Sequence, residues 1–199
     1  MKPYYERGGI TIYHGDCRDV LPGLPDVDLV LTDPPYGIGA DRNLRAGKQP
    51  GAAVAPSRDY GAGCWDAAPP SAEIMRRVIA AGRHSIVWGG NYFELPASPG
   101  WLVWDKDNGS NGYADCELAW TNLAQAVRLF RFRWMGMLQE HMGAAKEPRW
   151  HPTQKPLDVM RWALQQAPAP QTILDPFMGS GTTLRAAKDL GRKAIGIEI

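Results

Sequence analysis

Two short segments carry most of the chemistry open to this chain. The first is Asp175-Pro176-Phe177-Met178-Gly179-Ser180-Gly181-Thr182-Thr183, between an apolar run and a helical pattern. Glycines in a strand-to-helix turn let the backbone bend tightly and approach a ligand, and the free amides of the following helix favour an anionic group. No Lys follows the glycines, so the segment is not a P-loop, and Leu184 occupies the third glycine position of a dinucleotide fingerprint. Nineteen residues after Gly179 stands Glu198, where an acid at a strand end accepts hydrogen bonds from ribose hydroxyls. Turn and acid together point to a ligand with a ribose and a carboxylate but no pyrophosphate.

The second segment is Asp33-Pro34-Pro35-Tyr36, directly after the apolar run Val27 to Thr32. Two prolines hold the backbone extended and remove competing amide donors. A carboxylate and a neighbouring backbone carbonyl can then both accept hydrogen bonds from an exocyclic amine, and Tyr36 offers a flat face for a base. Alone, the segment reads more readily as a rigid turn capping a strand. The two motifs in one chain carry the argument.

Alternating strands and helices must position them, the pattern of an α/β layer fold. Candidate strands are Ile10 to His14, Val27 to Thr32, Ser85 to Trp88, Trp101 to Trp104, Glu117 to Thr121, Thr172 to Leu174 and Lys193 to Ile197. Helices are expected over Ser71 to Ala81 (Ser71 as N-cap, Gly82 ending it), Leu157 to Gln165 with Pro156 in its first turn, and Gly181 to Leu190. Gly37 to Gly63 is rich in Ala and Gly without a hydrophobic period and reads as a mobile loop; its four basic residues, among them Arg42 and Arg45, face two acids. From Arg128 to Arg149, five basic residues face two acids, and the alternation Leu129-Phe130-Arg131-Phe132-Arg133 puts Arg131 and Arg133 on one strand face.

The remaining bounds come from composition. The 199 residues, 44% hydrophobic and 22% charged, suffice for one domain with a real core and exclude a disordered tail, a fibre or a disulfide-stapled module. No apolar run is long enough to span a membrane, and the polar start is not a signal peptide. Cys17, Cys64 and Cys116 lie far apart and read as reduced thiols of a cytoplasmic protein. No His/Cys/Asp cluster has metal-ligand spacing, so no metal is expected. A net charge of +1 requires any DNA contact to rest on local basic segments.

The ordered set of Asp33-Pro34-Pro35-Tyr36, the segment His151-Pro152-Thr153-Gln154-Lys155-Pro156 and the glycine turn resembles the S-adenosylmethionine-dependent DNA amino-methyltransferases, with the motif order of that family's circularly permuted β group. The resemblance runs from Gly15-Asp16-Cys17 to Glu198. It implies a Rossmann-like, doubly wound, mostly parallel sheet in one domain over residues 1–199, with a small target-recognition region at 122–150. It implies S-adenosylmethionine as cofactor, double-stranded DNA as partner, and a modification role of the restriction-modification kind. By motif position, Asp33, Pro34, Pro35 and Tyr36 are the catalytic group. Asp175, Phe177, Gly179 and Gly181 match the loop around the cofactor's methionine part, and Glu198 its ribose contact. Thr153 and Lys155 match residues that close over the methionine end. Asp16, with Cys17 beside it, matches the acid near the adenine ring, and Trp88-Gly89-Gly90-Asn91 a segment shaping the base pocket. Arg131, Arg133, Arg42 and Arg45 are candidates for phosphate contacts.

In that family, Asp before Pro-Pro-Tyr goes mostly with N6-adenine and Ser mostly with N4-cytosine, so Asp33 favours adenine. An N4-cytosine enzyme and an inactive cofactor-binding subunit are the alternatives. No Pro-Cys pair exists to support covalent carbon-5 chemistry. The chain ends one residue past Glu198, where family members usually continue; an uncovered sheet edge there would favour a homodimer.

Overall fold

In the computed structural model, which describes residues 1–39, 66–109, 114–135, 138–151 and 153–199, the pattern of alternating elements is realised as one large sheet. Its strands are β1 (Tyr5–Arg7), β2 (Ile10–His14), β3 (Val27–Thr32), β4 (Gly82–Trp88), β5 (Trp101–Asp105), β6 (Cys116–Thr121), β7 (Arg128–Arg131), β10 (Thr172–Asp175) and β11 (Lys193–Glu198). The order is β1-β2-β11-β10-β3-β4-β6-β5-β7. Strands β2, β11, β10, β3 and β4 run parallel, and β6 and β1 run against their neighbours. A short hairpin of β8 (Trp134–Met135) and β9 (Leu138–Gln139) lies apart from it.

Parallel strands covered on both faces read as apolar runs, and β3 is buried at every residue but Asp28. Side chains alternate between faces. Leu29 and Leu31 pack with α3 (Leu157–Gln166) and α4 (Thr182–Asp189) through Val159, Met160, Ala163, Leu184 and Ala187. On the other face Val30 packs with α1 (Cys17–Val20) and with Val78 of α2 (Ala72–Ala80). Ser71 caps α2 as expected, its hydroxyl accepting from Ile74 N at 3.3 Å.

Two expectations are corrected. Gly82 does not merely end a helix: it opens β4, where an added Cβ would lie 2.9 Å from Val30 Cγ2, so close strand contact requires glycine. Nor does the chain end leave an edge. β11 is sandwiched between β2 and β10, and the sheet edges are β1 and β7. The loop expected at 37–63 falls almost wholly outside the described residues. Region 122–150 packs onto the main core: Phe132 and Trp134 are buried within it, and Trp104 Nε1 donates to the Phe132 carbonyl at 2.9 Å.

β3 and β10 are fastened at both ends. At their starts, Asp28 Oδ2 accepts from Thr172 N and Oγ1, each at 2.9 Å. At their ends, Thr32 Oγ1 donates to Asp175 Oδ1 at 2.7 Å. A one-residue slip would break both clamps and turn each strand's apolar set to the wrong face. The loops carrying the two sequence motifs therefore leave one edge side by side.

Candidate active site

Asp175 is 2% exposed and accepts from Thr32, from Phe177 N at 3.2 Å and from Thr183. Burial, with the charge of Asp33 adding, pushes its carboxyl up to about 6. Beyond it the turn is left-handed at Gly179 (φ +50°) and Gly181 (φ +79°), where an added Cβ would meet nothing within 4 Å. The turn thus faces open space, with helix α4 starting behind it. Gly196 on β11 makes room for the turn from below: a Cβ there would stand 2.5 Å from Met178 Sδ. Glu198 Oε2 accepts from Gly179 N at 2.7 Å, so the expected acid sits against the expected turn.

Beside it, Gly15 N donates to the Glu198 carbonyl at 2.8 Å. Asp16 follows, but its carboxylate caps α1 through Arg18 N at 2.8 Å and is gripped by the Arg18 side chain, which holds it below the usual carboxylate range. Cys17 is a core residue, packed with Val20 and Ile197; burial, with the charge of Asp16, pushes its thiol up to about 11.

Four charged side chains and a phenol meet at the end of β3. Tyr36 Oη donates to Asp33 Oδ1 at 2.6 Å, and Lys155 Nζ donates to Asp33 Oδ2 at 2.7 Å and to Tyr36 Oη at 3.0 Å. Lys155 also pairs with Glu117 Oε2 at 2.8 Å, and Lys106 with Glu117 Oε1 at 2.6 Å. Lys155 is 6% exposed. Burial opposes its charge, yet Asp33 and Glu117 outweigh burial and raise its pKa. For Glu117 burial alone would raise the pKa, and Lys155 and Lys106 reverse this, holding it at about 2. Asp33 is raised, burial prevailing over Lys155. Tyr36 lies well above its ordinary value through burial and the Asp33 charge, so it stays a donor.

Lys155, expected at the methionine end of a cofactor, gives its ammonium to the two carboxylates. Glu117 and Lys106 were not anticipated. The available signal was a charged residue on the core face of β6, in line with Ala119 and Thr121. Glu117 makes a stability prediction. Its folded pKa is depressed from 4.5 to about 2, so its contribution is full above 4.5 and is lost as pH falls towards 2. Unfolding free energies measured by urea between pH 6 and pH 2.5 should fall less steeply in Glu117→Gln than in wild type.

An aromatic wall completes the site. Trp88 ends β4, and Gly89 (φ +67°) turns the chain so closely under Tyr36 that a Cβ would stand 2.1 Å from the ring. Tyr92, 46% exposed, stacks on Tyr36 with centroids 4.9 Å apart, and Phe93 meets it edge-on at 6.2 Å. The face expected to receive a base is thus shared with Tyr92, which continues the stack outward; Asn91 is exposed.

The segment ending at Lys155 is tied down from behind. Glu147 accepts from Gln154 Nε2 and from Leu157 N, each at 2.9 Å, fixing the start of α3. Gln139 on β9 exchanges bonds with the Glu147 backbone at 2.8 and 2.9 Å. Thr153 is exposed and bonded to His151 Nδ1 at 3.0 Å. Pro152, Arg42 and Arg45 lie outside the described residues. Arg131 ends β7 and Arg133 lies beyond it, so the strand expected to carry both is shorter; both are exposed and each is ion-paired, Arg131 with Asp105 at 2.8 Å and Arg133 with Asp107. Two of the basic charges expected there are thus offset, by Asp105 at the end of β5 and by Asp107 just beyond it. Among the described residues no helix is long and apolar enough to cross a membrane.

Residues 133–199 match the DNA methylase family model for N6 and N4 methyltransferases. The chain is 26% identical to the Type II methyltransferase M.ScaI of Streptomyces caespitosus over its whole length, covering 80% of that protein. It is also 26% identical to the Type II methyltransferase M2.LlaDCHI of Lactococcus lactis subsp. cremoris, over 99% of this chain and 87% of that one. In fold it is similar to the M1.HpyAVI–SAM complex (TM-score 0.55, 24% identity, covering 95% of this chain and 93% of the other). It is likewise similar to the cytosine-N4-specific PvuII DNA methyltransferase (TM-score 0.60, 14% identity, 100% and 84%). The family match over residues 133–199, the two relatives aligned along nearly the entire chain and the Rossmann-like fold agree: this chain is similar to the S-adenosylmethionine-dependent DNA amino-methyltransferases.

Proposed function

We propose that the chain transfers a methyl group from S-adenosylmethionine to the N6 amine of an adenine flipped out of duplex DNA. The observation carrying this reading is the Thr32–Asp175 hydrogen bond, which holds the Asp33 motif and the glycine turn side by side at the ends of neighbouring parallel strands. The turn fits the cofactor: Gly179 and Gly181 present open space, Glu198 stands at the turn for a ribose, and Asp175 fixes the strand end beneath it. When bound there, the cofactor supplies a methyl group activated by its sulfonium.

The chain's own residues do the rest. An amine conjugated to a purine is a weak nucleophile, its lone pair delocalised into the ring. Asp33 and the Pro34 carbonyl accept its hydrogens and favour a pyramidal nitrogen with the lone pair free to attack. Two imino acids keep that acceptor pair rigid, so positioning is paid in advance by the fold. Extruding the base costs a few kcal/mol, offset by stacking against the Tyr36–Tyr92 wall and by pocket hydrogen bonds. Glu198 orients the ribose, and Thr153 lies on the segment leading to Lys155.

Asp33 before Pro-Pro-Tyr is the residue that favours adenine. Nucleoside mass spectrometry of DNA exposed to the protein and S-adenosylmethionine is expected to show N6-methyladenine; N4-methylcytosine would overturn the choice of base. Arg131 and Arg133 remain candidates for phosphate contacts, for which a phosphate would have to displace Asp105 or Asp107. Each Arg→Ala change is then expected to lower the salt slope of DNA binding by about one. An unchanged slope would remove that arginine from the interface.

A further inference from the structure

Both oxygens of Asp33 are already engaged, Oδ1 by the Tyr36 hydroxyl and Oδ2 by Lys155. An incoming amine must therefore displace a donor before Asp33 can accept from it. Tyr36 is fixed by its ring contacts with Tyr92, Phe93 and Gly89. Lys155 is the donor with somewhere else to go. Its Nζ lies 2.7 Å from Asp33 and 2.8 Å from Glu117 Oε2. The other Glu117 oxygen is held by Lys106, which fixes the carboxylate and leaves Oε2 aimed at Lys155. Leaving Asp33 thus costs Lys155 one ion pair and keeps the other, and its four-carbon stem permits a short swing. Without Glu117 the same move would strand a buried ammonium, which is strongly unfavourable.

We propose that Glu117 is a positioning residue for methyl transfer, the second seat that receives the Lys155 ammonium when the target amine takes its place at Asp33. The inference rests on the reading above, that Asp33 receives the amine. The two carboxylates and two ammoniums balance, so the swing moves no net charge out of the site. The charged and titratable groups facing Asp33 are Lys155, Tyr36 and Glu117, with His151 and Asp175 within electrostatic reach.

The test is a cycle of wild type, Glu117→Gln, Lys155→Met and the double variant. It is read as kcat, DNA KM and pH profile for radiolabelled methyl transfer to duplex DNA. In Glu117→Gln, Lys155 has only Asp33 and stays there; kcat is expected to fall about tenfold or more, within the range of couplings between contacting groups. In Lys155→Met the Asp33 and Glu117 carboxylates face each other without the ammonium between them, Glu117 keeping Lys106 and Asp33 keeping Tyr36, and the acid limb should move to higher pH. In the double variant Asp33 is free of both, and most of the activity lost in Glu117→Gln should return. Losses that simply add in the double variant, or a Glu117→Gln enzyme as fast as wild type, overturn the proposal. Should Glu117→Gln fail to fold, the acid limb of Lys155→Met decides: a shift upward supports the shared seat, and an unmoved limb refutes it. A wild type that transfers no methyl group to DNA sinks the underlying reading, a result distinct from any difference among variants.

Discussion

Asp33→Ala is expected to abolish methyl incorporation into DNA while leaving S-adenosylmethionine binding intact. The carboxylate is the acceptor for the amine, and removing such a group from a preorganised site costs on the order of 10²- to 10⁴-fold in rate. The glycine turn, Glu198 and Asp175 do not depend on that side chain: Asp175 is held by Thr32, Thr183 and Phe177 N. Lys155 keeps Glu117 as a partner, so the variant does not bury a lone charge. Isothermal titration with the cofactor and a methyl-transfer assay separate the two effects. Equal transfer by wild type and variant would remove Asp33 from the mechanism. No transfer by either, with cofactor bound by both, would make the chain a cofactor-binding module without activity.

The second large effect is expected from Gly89→Ala. Gly89 has φ +67°, a conformation costing other residues about 1–3 kcal/mol. Alanine there would also drive its methyl group into the Tyr36 ring, 2.1 Å from Cε1. The ring must then leave Tyr92 and take its hydroxyl away from Asp33. A displacement of about 1 Å at a reacting group costs on the order of 100-fold, so kcat should fall by that order. Gly191→Ala is the control: its φ of +70° carries the same backbone strain, but an added Cβ meets nothing within 4 Å. It should lose similar thermal stability and keep its rate. Comparable kcat values for the two variants would show that the aromatic wall does not position Asp33.

Legibility followed the range of the interactions. Capping of α2 by Ser71, the burial of β3 and the left-handed glycines before α4 are local events, set by residue type and short spacing, and each was readable. Glu117 was not, because its meaning depends on Lys155 and Lys106 arriving from other elements. Arg131 and Arg133 were expected on one strand face, but the strand ends at Arg131, and their ion pairs were not readable because the acids come from the end of the adjacent strand and just beyond it. The chain end was misread as an edge for the same reason, since strand order is a property of the whole sheet.

By itself, then, the sequence determined the chemistry on offer: a rigid carboxylate after one strand, a glycine turn after another, and an acid one strand further on. Each is a matter of residue type and position along the chain, and no folding is needed to read it. Only the tertiary structure decided what each side chain faces. It set β3 beside β10, turned Lys155 to the two carboxylates and stacked Tyr92 on Tyr36, because pairing, burial and charge compensation join residues that lie far apart in the chain.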